Sequence, residues 1–411
     1  MNPIPPAERE PILDTLRGFA ILGILLVNME VMRGPDWLIL LDGGSVPASS
    51  GLIDRIAGFA IGWLATGKFV SILAILFGMG AALIAGRSSR AGQSPRPLLA
   101  RRYVWLCAFG IVHMLFLYPG DVLFVYGVTG LILLAFVMRP MRTLLGWAAI
   151  ILGGYGALGL RYVSTVPQTP AHAEPDADSF STLVDHHHAE AIAAYTTGSY
   201  GDIVSVQAWH ALLLQSGQLL ALASILALFL AGYAIARAGI VTHLRTHRAL
   251  LTRGAWIGLG VGLPANLALG FLGPLAGFSA PADTEPLWFT RWAIVVQVFG
   301  EPVLAVGYLC ALSLFCLRRG AIGPLAAVGR MALTAYLLQS ALALAAIVKL
   351  QLYGQLTTAS ALVVVAGIWC VLLVVCPLWL RWFALGPLEW LWRSLSYGRV
   401  QPMLATAGPR T

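Results

Sequence analysis

The stretch 12–30, ILDTLRGFAILGILLVNME, opens as an apolar helix and then carries four groups that lipid penalises. Asp14 and Arg17 stand at its start, and Asn28 and Glu30 interrupt its far end. A run of about this length and apolarity predicts a membrane-spanning helix. Arg17 and Asn28 are eleven residues apart, close to three full turns, so they share one face about 16 Å apart along the axis. Asp14, one turn before Arg17, is placed to pair with it. Polar side chains in a span turn toward the bundle interior or a wet cavity, because lipid leaves them without partners. The stripe is therefore read as the wall of an internal hollow. The plainer reading makes Arg17 a headgroup anchor held by Asp14, and Asn28 an interhelical hydrogen bond.

The rest of the chain agrees with a membrane setting. Of 411 residues, 58% are hydrophobic and 11% charged, and the mean hydropathy is +0.80. Soluble domains carry about 25% charged residues. The net charge of +8 is almost all arginine, with Lys68 and Lys349 the only lysines. These arginines sit in short loops between apolar runs, a pattern that sets membrane orientation and argues against a nucleic-acid partner. Cys107, Cys310, Cys316, Cys370 and Cys376 all fall in apolar runs without metal-ligand spacing and are read as small buried hydrophobes. The start, MNPIPPAERE, has no positive region ahead of a short apolar core, so the first run is expected to remain as a helix.

The expected class is an all-α polytopic bundle of about ten spans: 15–32, 68–86, 102–118, 121–138, 143–163, 205–236, 250–272, 291–316, 324–348 and 359–380. The short run 52–66 is left as an interfacial helix, a re-entrant helix or one more span. Arg87, Arg90, Arg96, Arg101 and Arg102 share one loop, and Arg139, Arg142, Arg237, Arg245, Arg318 and Arg393 fall in loops assigned to the same side. The alternate loops hold Asp176, Asp178, Asp185, Glu190, Asp283 and Glu285. Both termini are accordingly expected in the cytoplasm. The organisation reads as a membrane half over 1–163, an outer polar loop over 164–204 and a second membrane half over 205–411. Within the loop, HHHAEAIAAY is expected to form a short helix capped by Asp185.

Further polar groups interrupt the spans. In RRYVWLCAFGIVHMLFLYPGDVLFVYG, residues 101–127, His113 follows Arg102 by eleven positions, and Asp121 comes after a Tyr-Pro-Gly turn. A histidine beside a carboxylate is the usual arrangement of a general base, the acid fixing its tautomer. The plainer reading has Asp121 capping the next helix and His113 as packing. In 295–308, VVQVFGEPVLAVGY, Gln297 and Glu301 lie on one face ahead of Pro302, which suits a cavity wall at a kinked helix. GRMALTAYLLQS, 329–340, adds Arg330, Thr334, Tyr336, Gln339 and Ser340, which also read as helix-packing contacts. His210 and the triplet His186, His187 and His188 lie near the outer end of the sixth span. No HExxH spacing is present, so no metal site is assigned. The tail GPLEWLWRSLSYGR, 386–399, is read as an interfacial anchor.

The blocks ILDTLRGFAILGILLVNM, FVSILAILFGMG, RRYVWLCAFGIVHMLFLYPGDVLFVYGVTG, VGRMALTAYLLQS and GPLEWLWRSLSYG resemble those of the YeiB-like bacterial membrane proteins. That family carries a C-terminal domain of unknown function. The first block also resembles two kinds of membrane acyltransferase, the surface-sugar O-acyltransferases and the heparan-glucosaminide N-acetyltransferase type. Both begin with Asp-x-x-Arg-Gly, matched here by Asp14, Arg17 and Gly18. The O-acyltransferases place a histidine where this chain has Asn28; the glucosaminide type also has asparagine there and takes its histidine from the outer side.

The resemblance implies transfer of an acyl group from cytoplasmic acyl-CoA to a sugar or lipid acceptor outside the bacterial inner membrane. His113 would be the base, with Asp121 orienting it and Asn28 beside it. Arg17, Arg101 and Arg102 would meet the CoA phosphates. Asp14, Tyr126, Gln297, Glu301, Gln339 and His210 would line the passage. No bound cofactor is expected beyond acyl-CoA as co-substrate. The second reading is a transporter or lipid-handling protein whose Gln297, Glu301 and Pro302 form a midplane site.

Overall fold

The computed structural model describes residues 11–38, 51–165, 180–272 and 287–404, and these are helical almost throughout. The extended pairing among them is one isolated bridge between Phe383 and Leu404. Seven helical runs among the described residues are long and apolar enough to cross a membrane, or eight if one bent pair counts as a single span.

The first helix, α1 (Pro11–Met32), lies at the centre and is buried on nearly every side. It is followed by α2 (Leu52–Leu64) and α3 (Lys68–Arg90), joined by a turn that holds Gly67 at a φ of 76°. The run 52–66 is therefore the leading part of a broken 39-residue helical stretch. Next come α4 (Arg96–Phe116), α5 (Leu123–Leu133), α6 (Met141–Thr165), α7 (Phe180–Thr196), α8 (Tyr200–Leu220) and α9 (Leu222–Arg237). The second half holds α10 (Arg248–Leu272), α11 (Leu287–Val295), α12 (Glu301–Arg319), α13 (Gly323–Arg330), α14 (Ala332–Lys349), α15 (Thr358–Trp379) and α16 (Pro387–Tyr397).

Between apolar helices in lipid there is little hydrophobic gain from association, so close packing at small residues carries the contact. Helix α13 runs back along α1 with backbone against backbone: a Cβ on Gly18 would strike the carbonyl of Leu325, and one on Gly329 the carbonyl of Asp14. This contact fixes the start of α14 beside the start of α1. At the far end Arg33 bonds Glu30 at 3.1 Å and the carbonyl of Leu356 at 2.9 Å, while Thr358 donates to Glu30 at 3.2 Å. Glu30 thus ties the end of α1 to the start of α15.

Several expected elements come out differently. The run 121–138 gives only the 11-residue α5, about 17 Å long and short of a bilayer core. The run 205–236 is two helices bent by 58°. The run 324–348 breaks at Met331 into α13 and α14. Ahead of Pro302 the expected kink is a π-helical turn, Val296–Gly300, which absorbs the hydrogen bond that proline cannot make. Asp185 sits inside α7 and does not start it, because Phe180 and its neighbours extend the helix backward. The proline- and aspartate-rich part of the polar loop, with Asp176 and Asp178, lies outside the described residues, and so do Asp283 and Glu285 of a later loop.

Candidate functional site

Arginines from separate parts of the chain meet at one end of the bundle. Arg17 of α1, Arg87 and Arg90 of α3, Arg102 of α4, Arg330 of α13 and Arg393 of α16 line a single cavity of about 370 Å³. Two carboxylates, Asp14 and Glu389, share its wall. Both are already paired, Asp14 with an arginine of the same wall. Asp14 accepts from Arg17 at 2.7 Å. Glu389 accepts from the Leu333 N–H at 2.6 Å, the Thr334 N–H at 3.0 Å and the Thr334 hydroxyl at 2.6 Å. Glu389 therefore caps α14 from another helix, satisfying donors that a helix start leaves free.

Helix α16 closes the cavity's side. The Trp392 indole donates to the carbonyl of Arg102 at 2.9 Å, and the Arg102 guanidinium stacks 3.9 Å from the Trp392 ring. Such stacking holds an arginine in place while leaving its fork of donors open. Burial, with the like charge of Arg102 alongside, pulls Arg393 down to about 10, so it remains a cation at neutral pH. The excess positive charge in this hollow calls for an anion with several charges.

Away from the arginines the walls turn apolar, through Leu73, Leu76, Phe77 and Leu106 to Val122, Tyr126 and Tyr336. Tyr336 lies at the threshold of a second polar cluster. Its ring is 4.8 Å from the His113 ring, and the Val122 N–H points at its hydroxyl at 3.4 Å. His113 Nδ1 lies 2.8 Å from Asp121 Oδ1, and both side chains are completely buried. Asp121 uses its other oxygen on the Phe124 N–H at 2.7 Å, capping α5. Capping and holding His113 are thus simultaneous, one oxygen to each. In the tautomer whose Nδ1 donates to the carboxylate, Nε2 keeps its lone pair. His113 Nε2 has no hydrogen-bond partner among the described residues.

Of the residues singled out from sequence, Asp14, Arg17, Arg102 and Tyr126 share the cavity, with Tyr126 donating to the Val70 carbonyl at 2.5 Å. His113 and Asp121 form the adjoining pair. Asn28 and Gln339 are buried outside the cavity wall, and Asn28 Nδ2 and both Gln339 amide atoms have no partner among the described residues. Arg101 is exposed on α4. His210 is buried at the opposite end, its ring 5.0 Å from Trp37. Gln297 is half-buried in the π-helical turn. Glu301 lies against Gly67, within electrostatic reach of the buried Lys68, whose ammonium donates to the Gly62 carbonyl at 3.0 Å. His186, His187 and Glu190 gather their ligand atoms within 4.8 Å of one another on α7, and His187 stacks on Trp209 at 3.6 Å.

The tail was read only as an anchor, yet Glu389, Trp392 and Arg393 belong to the cavity. Glu389 and Arg393 fall one turn apart on this short helix, a spacing that does not by itself separate a cavity wall from an interfacial anchor.

Apolar helices in this number, packed at glycines around an internal cationic hollow, define a multi-pass helical membrane protein. A family described as "Protein of unknown function (DUF418)" matches residues 235–399, a segment that contains α10 to α16 and with them Arg330, Tyr336, Glu389 and Arg393. The uncharacterized protein YeiB of Escherichia coli (strain K12) is 30% identical, over 97% of this chain and 99% of that one. The uncharacterized protein YxaH of Bacillus subtilis (strain 168) is 27% identical over 98% of both chains. An uncharacterized 39.9 kDa protein in the amylase 3' region of Bacillus acidopullulyticus is 26% identical over 98% of both. The chain belongs to the YeiB-like family.

Proposed function

We propose that this protein is an acyltransferase of the bacterial inner membrane. It takes an acyl group from acyl-CoA at its arginine-rich end, which faces the cytoplasm together with both termini. It delivers that group to a hydroxyl or amine of a sugar or lipid on the outer side. One observation carries the reading: a single cavity runs from six arginines to Tyr336, whose ring touches the buried His113–Asp121 pair. The cationic mouth suits the CoA phosphates, and the apolar slot suits a linear thioester arm. Along α4 the eleven residues from Arg102 to His113 span about 16 Å, so donor head and reacting end are held well apart. His113 Nε2 takes the acceptor proton and Asp121 holds the imidazole in the right tautomer. The Asp14-x-x-Arg17-Gly18 opening of α1 is similar to that of membrane acyltransferases and supports the same reading.

The test uses protein in nanodiscs with labelled acetyl-CoA and palmitoyl-CoA and an extract of bacterial envelope glycans and lipids. Binding is expected from calorimetry and label transfer from extraction, with His113→Ala binding the donor but transferring nothing. Absence of both binding and transfer across chain lengths rejects the proposal. A second reading rests on the Lys68–Glu301 pair, buried beside the π-helical turn, where broken helices in transporters hold substrate or ions. Solute flux in proteoliposomes, lost in Glu301→Gln and independent of CoA, would favour it.

A further inference from the structure

We propose that the Tyr336 hydroxyl donates a hydrogen bond to the carbonyl oxygen of the acyl donor, which makes Tyr336 a catalytic residue beside His113. This rests on the acyltransferase reading and deepens it. Tyr336 occupies a position where both halves of such a reaction meet: it lines the donor cavity and packs against the histidine ring. Its hydroxyl oxygen accepts from the Val122 N–H, which aims the group, and no described residue accepts its proton. Tyr126, also in the wall, is different, because its hydroxyl is already given to the Val70 carbonyl. Tyr118 stands 6.1 Å from His113 and is absent from the wall.

The surroundings point the same way. An unpartnered buried polar group is costly, and native proteins keep few without a use. Among the described residues the His113 Nε2 has no partner, and neither does either amide atom of Gln339, one turn beyond Tyr336 on α14 but outside the cavity wall. The Tyr336 face of α14 thus packs on the histidine whose Nε2 is unmatched among the described residues. The fold also holds Tyr336 rigidly: its helix start is capped by Glu389 and its ring is almost completely buried. Preorganised donors in a dry site are the ones that stabilise developing charge best.

In the reaction, His113 Nε2 removes the proton from the acceptor hydroxyl as its oxygen attacks the thioester carbon. The carbon–oxygen bond forms while the carbonyl oxygen becomes an oxyanion, held by the Tyr336 O–H. Collapse breaks the carbon–sulfur bond, and the CoA thiolate leaves with the proton that His113 carried. Acceptor ester and free CoA result, with no other reactant required.

Tyr336→Phe tests this, since it removes one oxygen and keeps the ring against His113. Acetyl-CoA affinity should stay within about threefold while transfer falls ~10²–10³-fold, the loss typical of one oxyanion donor. A second readout is independent of turnover: the infrared carbonyl stretch of ¹³C=O acetyl-CoA bound to His113→Ala protein. It should lie lower in frequency than in the double variant His113→Ala/Tyr336→Phe. An unchanged transfer rate, an unchanged stretch, or loss of donor binding in Tyr336→Phe each overturns the proposal. Failure of the wild type to transfer any label strikes the acyltransferase reading instead, and the stretch of the bound donor still decides whether Tyr336 touches the carbonyl.

Discussion

At the scale of single residues, Asp121 carries two structural duties through two oxygens, and they respond to different substitutions. Asp121→Asn keeps an oxygen for the Phe124 N–H but presents an amide to His113 or forces the other tautomer. The expected outcome is a folded protein with donor affinity retained and transfer reduced at least ~10²-fold. Size-exclusion profiles and labelled transfer check the two halves. Glu389 supplies a pH prediction. It lies outside the spanning helices, and burial, outweighing the hydrogen bonds it accepts, holds its carboxyl above the usual 4.5. A carboxyl raised in the folded state binds its proton more tightly there than in the unfolded chain. Its contribution is thus whole below 4.5 and fades as pH climbs through the raised value. Thermal unfolding in detergent should show that decline, and Glu389→Gln should flatten it; an equal slope in both proteins would contradict the assignment.

At the scale of elements, packing decides what propensity leaves open. The backbone contact between α1 and α13 leaves no room for a side chain, so Gly329→Ala is expected to cost about 2–4 kcal/mol. Lower melting temperature, with much smaller loss for Ala at the open Gly323, is the measurement. The same reliance on contacts explains which elements could be read in advance. Helix α1 was legible because a mostly apolar run of about this length leaves few alternatives in a membrane. The break at Met331, the 58° bend between α8 and α9 and the shortness of α5 were not, since hydropathy is blind to where a continuous apolar run turns. The pairing of His113 with Asp121 was legible from eight residues of separation and one Tyr-Pro-Gly turn. The contribution of Glu389 and Arg393 was not, because the tail meets α1, α3 and α4 only in three dimensions.

At the scale of the whole molecule, arginines far apart in sequence converge on one end, and the hollow they line is closed on one side by α16. Orientation can be tested directly: green fluorescent protein fused after residue 411 should fluoresce in a bacterial host, and alkaline phosphatase fused there should be inactive. The reverse pattern would place the arginines outside and remove acyl-CoA from reach.

The capping of α14 by Glu389 has a consequence for biosynthesis. Helix α16 leaves the ribosome after all seven membrane-length runs have been made. A nascent or prematurely stopped polypeptide ending before Pro387 would already be embedded in the bilayer, yet its α14 start would be uncapped and one side of the hollow missing. Insertion and completion of the hollow are therefore separate steps for this chain, with the second waiting on α16.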